Sequence, residues 1–424
     1  MQQGVGHAGT VRCRRIKRGR AFTRSGRTTA GVRRGRTHLD RPARRLPPPV
    51  VLGEAGAPCR PASGPPDSAH SEELFPTDPA AGRVGPMKLL ILGGTEFVGR
   101  AVTEAALARG RQVTVFHRGR HAPPAGVTEL FGDRTGADGL VALAAAAGES
   151  EGGAHTWDLV VDTWSGAPSA VRDAARLLAG RVGQYAYVSS RSVYDHPAPA
   201  GLPEDGPLVD GASPDAGADA PYPQAKRGGE LAALDVFGDR ALLARAGLIL
   251  GPWENVGRLP WWLQRIARGG PVLAPGAPDT PLQYIDARDL ANWLLDAAEH
   301  GLHGPYNVVS RPGHTTMGEL LDACVRATGS GAELRWTAAE KILAAGVEPW
   351  SELPIWLPPG ELYDTMHQGD VSRAHAAGLH CRPVEETVTD TWDWLRGLGG
   401  AAPQRPDRPA VGLDPETEAK LLTA

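Results

Sequence analysis

Short apolar runs alternate with helix-like segments along the chain from residue 87 onwards. The apolar runs cover 88–92, 112–116, 157–162, 184–190 and 240–250. Each has the length and composition of a strand that is buried on both faces of a parallel sheet. Ala- and Leu-rich segments with helical spacing lie between them, at 97–109, 137–147, 168–180 and 224–236. This alternation predicts an α/β fold, a doubly wound parallel sheet with helices on both faces.

The pattern changes after residue 250. Turns, short helices and tryptophans follow first, and from 301 to 400 the pattern becomes irregular α+β. We expect residues 87–250 to form a first domain around this sheet. Residues 251–400 are expected to form a smaller substrate lobe over the carboxyl ends of the strands, where open α/β sheets bind ligands. One segment, about 280–300, is expected to return to the first domain. A tail at 401–424 begins Pro-rich and ends in the helix-like "PETEAKLLTA".

The first 86 residues differ in composition from the rest. They hold 16 Lys or Arg against 6 Asp or Glu, a balance of +10, and since the whole chain carries −3, the remaining 338 residues carry −13. No apolar periodic run is present, which predicts disorder. The segment fits a nucleic-acid-binding arm, an Arg/Ser-rich transit peptide, or upstream sequence translated from a wrongly chosen start. We favour the last, because Met87 stands immediately before the first strand.

Cysteines and apolar stretches exclude several classes of protein. The four cysteines are scattered, so neither a disulfide framework nor a CxxC metal site is predicted. No stretch approaches the roughly 18 apolar residues that a membrane span needs. A cytoplasmic protein is therefore expected. Three histidines have no metal-ligand spacing and are predicted to lie at the surface or in loops: His196, His314 and His367.

The segment "MKLLILGGTEFVGR" at 87–100 runs from a strand through a glycine turn into a helix. Gly93, Gly94 and Gly99 let the backbone approach a diphosphate, while the helix N-terminus contributes N–H donors. Glu96 places a negative charge at the same turn. A diphosphate can bind there if this carboxylate points into solvent, and we predict that orientation.

The end of the second strand bears on the choice of cofactor. Sites that prefer NAD place Asp or Glu near this point, whereas an Arg accommodates the 2′-phosphate of NADP. Here the candidates are His117, Arg118 and Arg120, with no carboxylate among them. NADP is therefore preferred over NAD, although the arginines also fit a solvated loop. Asp133 in "FGDR" could meet the adenine amino group or could simply serve a turn.

Tyr222 and Lys226 in "PYPQAKRGGE" provide the sharpest chemical signal. Four residues apart on a helix, they lie on one face, where an ammonium can lower the pKa of a phenol and let it act as acid or base. With 7 Tyr and 5 Lys in the chain, chance would give about 0.08 such pairs. The pair also follows "YVSSRSVYD", a strand that ends in Ser189 and Ser190.

In chain order, "GGTEFVG", "SSRSVY", "YPQAK", "RAGLILGP" and "YIDARDLA" resemble the extended short-chain dehydrogenase/reductase superfamily, the NAD(P)-dependent epimerase/dehydratase group. The resemblance covers about 87–400 and implies a Rossmann-type fold, in which residues 87–250 form the NAD(P)-binding, dinucleotide-binding domain. It makes Tyr222 the catalytic acid/base, Lys226 the holder of the nicotinamide ribose, and Ser190 a hydrogen-bonding partner of the substrate. It also implies that Asp286, Arg288 and Asp289 join the two lobes or border the substrate. The implied cofactor-binding residues are Gly93, Gly94, Thr95, Phe97, Val98, Gly99, His117, Arg118, Asp133, Arg134, Thr163 and Lys226.

The resemblance leaves two functions open. An NAD(P)-dependent oxidoreductase or epimerase would act on an alcohol or carbonyl carbon of a small molecule such as a nucleotide sugar. No acid like that of dehydratases stands beside Ser190, where Arg191 and Ser192 follow, so dehydration is least expected. However, "GGTxFxG" is similar to the branch with the chloroplast stem-loop-binding proteins, which implies an RNA-binding alternative without redox activity. The intact Ser190, Tyr222 and Lys226 and the charge of −13 favour the enzyme. A homodimer is compatible with either.

Overall fold

The computed structural model describes residues 86–148, 155–401, 404–405 and 408–423. Predictions for residues 1–85, including the disordered arm and its possible functions, lie outside the described residues.

Fifteen strands run through the described part of the chain. They are β1 Lys88–Leu92, β2 Gln112–His117, β3 Thr128–Phe131, β4 Trp157–Asp162, β5 Val182–Ser190, β6 Ala241–Ala246, β7 Leu248–Leu250, β8 Pro271–Pro275, β9 Pro281–Leu282, β10 Tyr284–Asp286, β11 Gly304–Val308, β12 Thr315–Thr316, β13 Glu333–Thr337, β14 Pro349–Trp350 and β15 Leu353–Pro354.

Twelve α-helices accompany them within the same described residues. They are α1 Phe97–Ala108, α2 Val141–Ala147, α3 Pro168–Leu178, α4 Tyr222–Phe237, α5 Arg258–Ala267, α6 Ala287–Glu299, α7 Met317–Thr328, α8 Ala339–Ala344, α9 Glu361–His367, α10 Ser372–Ala376, α11 Val384–Gly397 and α12 Pro415–Thr423.

The main sheet has seven strands in the order β11-β6-β5-β4-β1-β2-β3, and every neighbouring pair is parallel. Residues of α1 and α6 pack against one face of this sheet, while residues of α2, α3 and α4 pack against the other. Strands β1, β2, β4 and β5 lie where the apolar runs predicted them. The prediction of a doubly wound parallel α/β fold is confirmed.

The apolar run at 240–250 was predicted as a single strand, and this is wrong. It forms β6, which belongs to the main sheet, and β7, which pairs with β10 instead. The break falls at Gly247, where an added Cβ would lie 2.7 Å from Val309. The main sheet is then completed by β11, a strand that the irregular pattern after residue 300 did not reveal.

A second hydrophobic core lies outside the main sheet. It is built by α5, α7, α11 and the parallel pair β8–β13, with Trp262 and Trp356 almost completely buried within it. These two rings therefore serve as core rather than as exposed stacking faces.

His367 was predicted at the surface or in a loop, and this is wrong. It is the last residue of α9 and has no exposed surface. Its Nδ1 accepts a hydrogen bond of 3.1 Å from the main-chain N–H of Gln283. Burial lowers the pKa of His367 to about 4, so the ring is neutral at pH 7. No spacing rule could find this histidine, because the contact joins distant parts of the chain.

Charged residues join α6 to the following segments. The carboxylate of Asp286 caps α6 and accepts hydrogen bonds from Arg288. Arg288 is also paired with Asp390 of α11, and Asp289 forms a salt bridge of 2.7 Å with Arg382. This network ties the sheet-packed helix to the second core.

The described residues lack a membrane-spanning helix, a metal-binding cluster and a disulfide bond. None of their helices is long and apolar enough to cross a membrane. They contain no group of three or more His, Cys, Asp or Glu side chains that could hold a metal ion. Both of the described cysteines, Cys324 and Cys381, are free thiols.

Candidate functional site

The glycine turn between β1 and α1 is closed too tightly for larger residues. Gly93 has φ +103°, and a Cβ there would lie 2.7 Å from Thr163 Oγ1. A Cβ on Gly99 would clash with the carbonyl oxygen of Gly93. The buried hydroxyl of Thr103 donates hydrogen bonds to the carbonyl oxygens of Gly94 and Gly99, at 3.1 and 2.8 Å. The turn is therefore held in one shape from within the helix.

The N-terminus of α1 opens from this turn. The helix has no side-chain cap, so the N–H groups of its first turn have no capping partner. Thr95 and Val98 are buried, and Phe97 has a left-handed φ of +41°. A non-glycine residue in that region is strained, which is frequent at ligand sites. Uncapped N–H groups at a glycine turn form an anion-binding geometry.

Glu96 does not simply point into solvent, contrary to the sequence-based expectation. Its carboxylate lies 3.4 Å from Asn255 Nδ2 and 3.4 Å from His121 Nε2, and the side chain is one-third exposed. The charge is therefore held between a residue that follows β7 and a residue that follows β2.

At the end of β2, His117 is buried, whereas Arg118 and Arg120 are exposed. The Nε2 of His117 lies 3.0 Å from a carboxylate oxygen of Glu129 on β3. Glu129 was missed by sequence analysis because it reaches this position from the neighbouring strand. The side chains of Arg118 and Arg120 are therefore free to meet a ligand at the edge of the site. The carboxylate of Glu129 is instead held by His117.

Asp133 and Arg134 follow β3 and have different surroundings. Asp133 accepts hydrogen bonds from the hydroxyl and main-chain N–H of Thr135, which lower the pKa of its carboxyl group; Arg118 and Arg120 contribute in the same direction. The residues predicted from the second and third strands therefore lie near one another at this edge of the sheet.

Arg134 is held by the sheet itself. Its guanidinium binds both carboxylate oxygens of Asp162, at 2.7 and 2.8 Å, and donates to the carbonyl oxygen of Ala170. Asp162 ends β4 and also accepts a hydrogen bond of 2.5 Å from Tyr185 Oη. Burial alone would raise the pKa of Asp162, but Arg134 and Tyr185 hold it below its usual value. The donors of Arg134 face inward, which gives it a supporting position under the site.

Lys226 is buried where the ends of β4 and β5 meet. Its Nζ donates to the carbonyl oxygens of Trp164 and Val188, at 2.6 and 2.7 Å. The ammonium also lies 4.8 Å from the ring centre of Tyr187. Burial lowers the pKa of Lys226 to about 7, opposed by the charge of Asp162. Thr163, between Asp162 and Trp164, donates its hydroxyl to the carbonyl oxygen of Leu92 at 3.0 Å.

Ser190 and Tyr222 occupy the same edge of the sheet. Ser190 ends β5, and its Oγ accepts from the main-chain N–H of Ser192 at 3.1 Å and lies 3.0 Å from Ser192 Oγ. Tyr222 begins α4, one helical turn before Lys226, and is partly exposed. Lys226 binds β5 only two residues before Ser190. The fold therefore brings the ends of β4, β5 and α4 together beside the glycine turn.

Further polar residues at this place were missed by sequence analysis. The side chain of Arg408 lies over the ring of Tyr222, with Cζ 4.9 Å from the ring centre. Arg405 Nη1 lies 3.4 Å from the hydroxyl of Ser165, just after β4. Both arginines come from the Pro-rich tail, which carries no periodic pattern, so no sequence signal pointed to them.

Comparisons with known proteins identify the family of the chain. The sequence model of the NAD dependent epimerase/dehydratase family matches residues 89–309, over half of the chain. One curated relative is the chloroplast stem-loop binding protein of 41 kDa b from Arabidopsis thaliana, 26% identical over 263 residues. That match covers 57% of this chain and 63% of the relative, so the chain spans less than two-thirds of the relative's length.

Solved structures support the fold. The UDP-N-acetylglucosamine 4-epimerase from Bacillus cereus is 16% identical, with a TM-score of 0.53 and coverage of 73% of this chain and 100% of that one. The enzyme WbmH from Bordetella bronchiseptica, solved in complex with NAD+, is 19% identical, with a TM-score of 0.52 and coverage of 74% and 100%. Together with the matched family model, this confirms the resemblance seen in the motifs: the chain belongs to the NAD dependent epimerase/dehydratase family.

Proposed function

We propose that this protein is an NAD(P)-dependent oxidoreductase or epimerase that acts on an alcohol or carbonyl carbon through Ser190, Tyr222 and Lys226. The observation that carries the proposal is the buried Lys226, whose Nζ is held by the carbonyl oxygens of Trp164 and Val188. A lysine is costly to bury away from a carboxylate partner. Its placement one turn after Tyr222, at the carboxyl ends of β4 and β5, supports a chemical role rather than a packing role.

The glycine turn fits the diphosphate of a dinucleotide. A Cβ at Gly93 or Gly99 would clash with Thr163 or with the Gly93 carbonyl oxygen, so the glycines keep the turn closed, and the uncapped first turn of α1 offers N–H donors. When bound, a nicotinamide dinucleotide supplies the hydride acceptor or donor. Thr95, Phe97 and Val98 belong to the same cradle and are proposed to contact it.

The protein's own groups would move and hold protons. Tyr222 is proposed to exchange the proton of the substrate hydroxyl, and Ser190 to hold the same oxygen in place with a hydrogen bond. Lys226 is proposed to bind a ribose hydroxyl of the cofactor and to keep positive charge beside the phenol of Tyr222.

We propose separately that the protein prefers NADP over NAD. Arg118 and Arg120 are exposed at the end of β2, where they could meet a 2′-phosphate. Asp133 and His117 lie near them and are proposed to border the adenosine half of the cofactor. Arg134 is proposed to act on the site indirectly, by holding Asp162 and so the end of β4 that carries Thr163.

The substrate is proposed to be a sugar derivative, and the reaction an epimerisation or a reduction. Arg191 and Ser192 stand where a dehydratase acid would follow Ser190. Arg191 is buried and donates to the carbonyl oxygen of Thr365 at 2.9 Å, so it offers no proton donor of that kind. The similar WbmG structure was solved with NAD and UDP, which makes nucleotide sugars the first substrates to assay.

Tyr222→Phe tests the proposal. We expect the variant to bind NADH or NADPH like the parent in a fluorescence titration, and to lose about 10²- to 10⁴-fold of turnover with a panel of nucleotide sugars. Tyr306→Phe is the matched control, since this tyrosine lies in β11 and packs against Trp293 of α6. Unchanged turnover in Tyr222→Phe, or a parent protein that binds neither NADH nor NADPH, would refute the proposed enzymatic function.

RNA binding is the second candidate function, because one relative is named a stem-loop binding protein. Gel-shift titration of the full chain with a stem-loop RNA at several salt concentrations tests it. Phosphate-backbone binding predicts a steep loss of affinity with added salt. Tight RNA binding together with absent dinucleotide binding would favour this candidate over the enzyme.

A further inference from the structure

The tail of the protein crosses the candidate site. We call residues 404–405 and 408–413 the C-terminal strap. The main-chain N–H of Arg405 donates to the carbonyl oxygen of Asn255 at 3.0 Å, and that of Gly412 donates to Ser351 at 2.8 Å. Leu413, at the end of the strap, is buried in the second core. These contacts hold the strap along the second lobe.

The helix that follows anchors the strap. Glu418 of α12 forms a buried salt bridge of 2.6 Å with Arg265 of α5 and also accepts the main-chain N–H of Leu273. Leu421 packs into the second core. Breaking a buried ion pair of this kind is strongly destabilising, so α12 is a firm attachment. The strap is therefore held firmly at its C-terminal end.

The strap places two guanidinium groups beside the proposed chemical residues. Arg408 lies over the Tyr222 ring, with 4.9 Å between Cζ and the ring centre. Arg405 Nη1 is 3.4 Å from Ser165 Oγ, one residue after the Trp164 carbonyl that binds Lys226. The residues that carry this charge lie outside the span 89–309 that the family model matches.

Arg408 and Arg258 lie close enough for their charges to interact. Among the described residues, Arg408 forms no salt bridge, and Arg258 of α5 forms none either. The buried Glu254 faces Arg258 but accepts the main-chain N–H groups of Arg258 and Leu259. Burial lowers the pKa of Arg258, the charge of Glu254 opposes this shift, and the charge of Arg408 adds to the lowering. Arg408 also contributes to the lowered pKa of Lys226.

We propose that Arg408 is a specificity-determining residue that binds an oxyanion, either a carboxylate or a phosphate, carried by the substrate near its reacting carbon. The inference rests on the proposed function, because Tyr222 marks the reacting end of the substrate. A guanidinium is suited to this ligand, since its planar donors match both kinds of oxyanion in pairs. A neutral substrate would offer the Arg408 guanidinium no negatively charged partner.

The test compares three probes on the full chain by isothermal titration calorimetry: a hexuronate, a hexose 1-phosphate and the neutral hexose. The variants are Arg408→Gln and Arg408→Lys. Arg396→Gln is the matched control, because this arginine is 65% exposed on α11. Binding of NADH and NADPH is measured on the same samples by fluorescence.

We expect the parent and Arg396→Gln to bind one anionic probe at least about tenfold more tightly than the neutral hexose. Arg408→Gln should lose that preference, and Arg408→Lys should keep part of it, because a single ammonium binds without the paired geometry. The stronger of the two anionic probes identifies the carboxylate or the phosphate as the ligand.

Two results would overturn the inference: a parent protein that prefers neither anionic probe, or a correctly folded Arg408→Gln that keeps the full preference. The first needs no variant, so a misfolded variant does not remove the test. Dinucleotide binding separates the two proposals. If dinucleotide binds and the anion preference is absent, only the strap inference fails. If the preference is present without dinucleotide binding, only the proposed function fails.

Discussion

Replacing Arg134 by methionine tests how the edge of the sheet under the candidate site is held. In the folded protein Arg134 and Asp162 are joined by two hydrogen bonds of 2.7 and 2.8 Å, and their side chains are 5% and 0% exposed. Arg134→Met keeps the apolar stem in place and removes the charge. It leaves the carboxylate of Asp162 buried with Tyr185 and one main-chain N–H as donors.

The expected loss is about 3–5 kcal/mol in the free energy of unfolding, the usual cost of removing one partner of a buried ion pair. The value is large because the remaining carboxylate cannot reach water. The matched control is Arg396→Met, whose arginine is 65% exposed; it should change the free energy by less than about 0.5 kcal/mol.

The loss should depend on pH. In the parent, the pKa of Asp162 lies below its usual value, so its ion pair contributes stability above about pH 4 and loses it as the pH falls through the lowered pKa. In Arg134→Met, burial without the guanidinium raises that pKa above the value in the unfolded chain. The folded variant then binds a proton more readily than the unfolded chain, and its stability falls as the pH rises from about 4.

Urea unfolding followed by tryptophan fluorescence at pH 5 and pH 8 measures both effects. With a slope of about 3 kcal/mol per molar urea, the midpoint of Arg134→Met should fall by about 1–1.7 M at pH 8 and by less at pH 5. A loss below about 1 kcal/mol would show that the ion pair is not buried as described. Equal losses at both pH values would show that the unpaired carboxylate is not the cause.

Two further predictions concern the cofactor. Arg118→Gln should weaken NADPH binding about tenfold and NADH binding less than about twofold in fluorescence titrations, because only NADPH carries the 2′-phosphate; equal effects on both would contradict the role of Arg118. Glu96→Gly should change dinucleotide affinity less than about tenfold, because the carboxylate is held by Asn255 and His121. A gain of a hundredfold would mean that Glu96 faces the diphosphate.

Local pattern was enough to predict the central elements of the fold. Strands β1 and β4 have the bounds that their apolar runs predicted, because a strand buried on both faces must be apolar at almost every position. The glycine turn was equally clear, since its close contacts exclude a Cβ at Gly99. Tyr222 and Lys226 could be linked because helical spacing alone places them on one face.

Partners that are distant in sequence could not be predicted. The Arg134 side chain looked available for a cofactor in the sequence, but Asp162 binds it across the sheet. His367 looked like a loop residue, but it is buried against the backbone of Gln283. In each case a contact between separate elements decides the role of a side chain, and periodicity contains no information about such contacts.

The sequence by itself determined that an α/β sheet carries a glycine turn and a Ser, Tyr and Lys set at one edge, because these depend on local spacing and local sterics. The tertiary structure alone decided what surrounds that edge. It turned Glu96 towards Asn255, and it brought Arg408 from a patternless tail onto Tyr222. Long-range packing does this, since it places charges by the path of the whole chain and not by their neighbours in sequence.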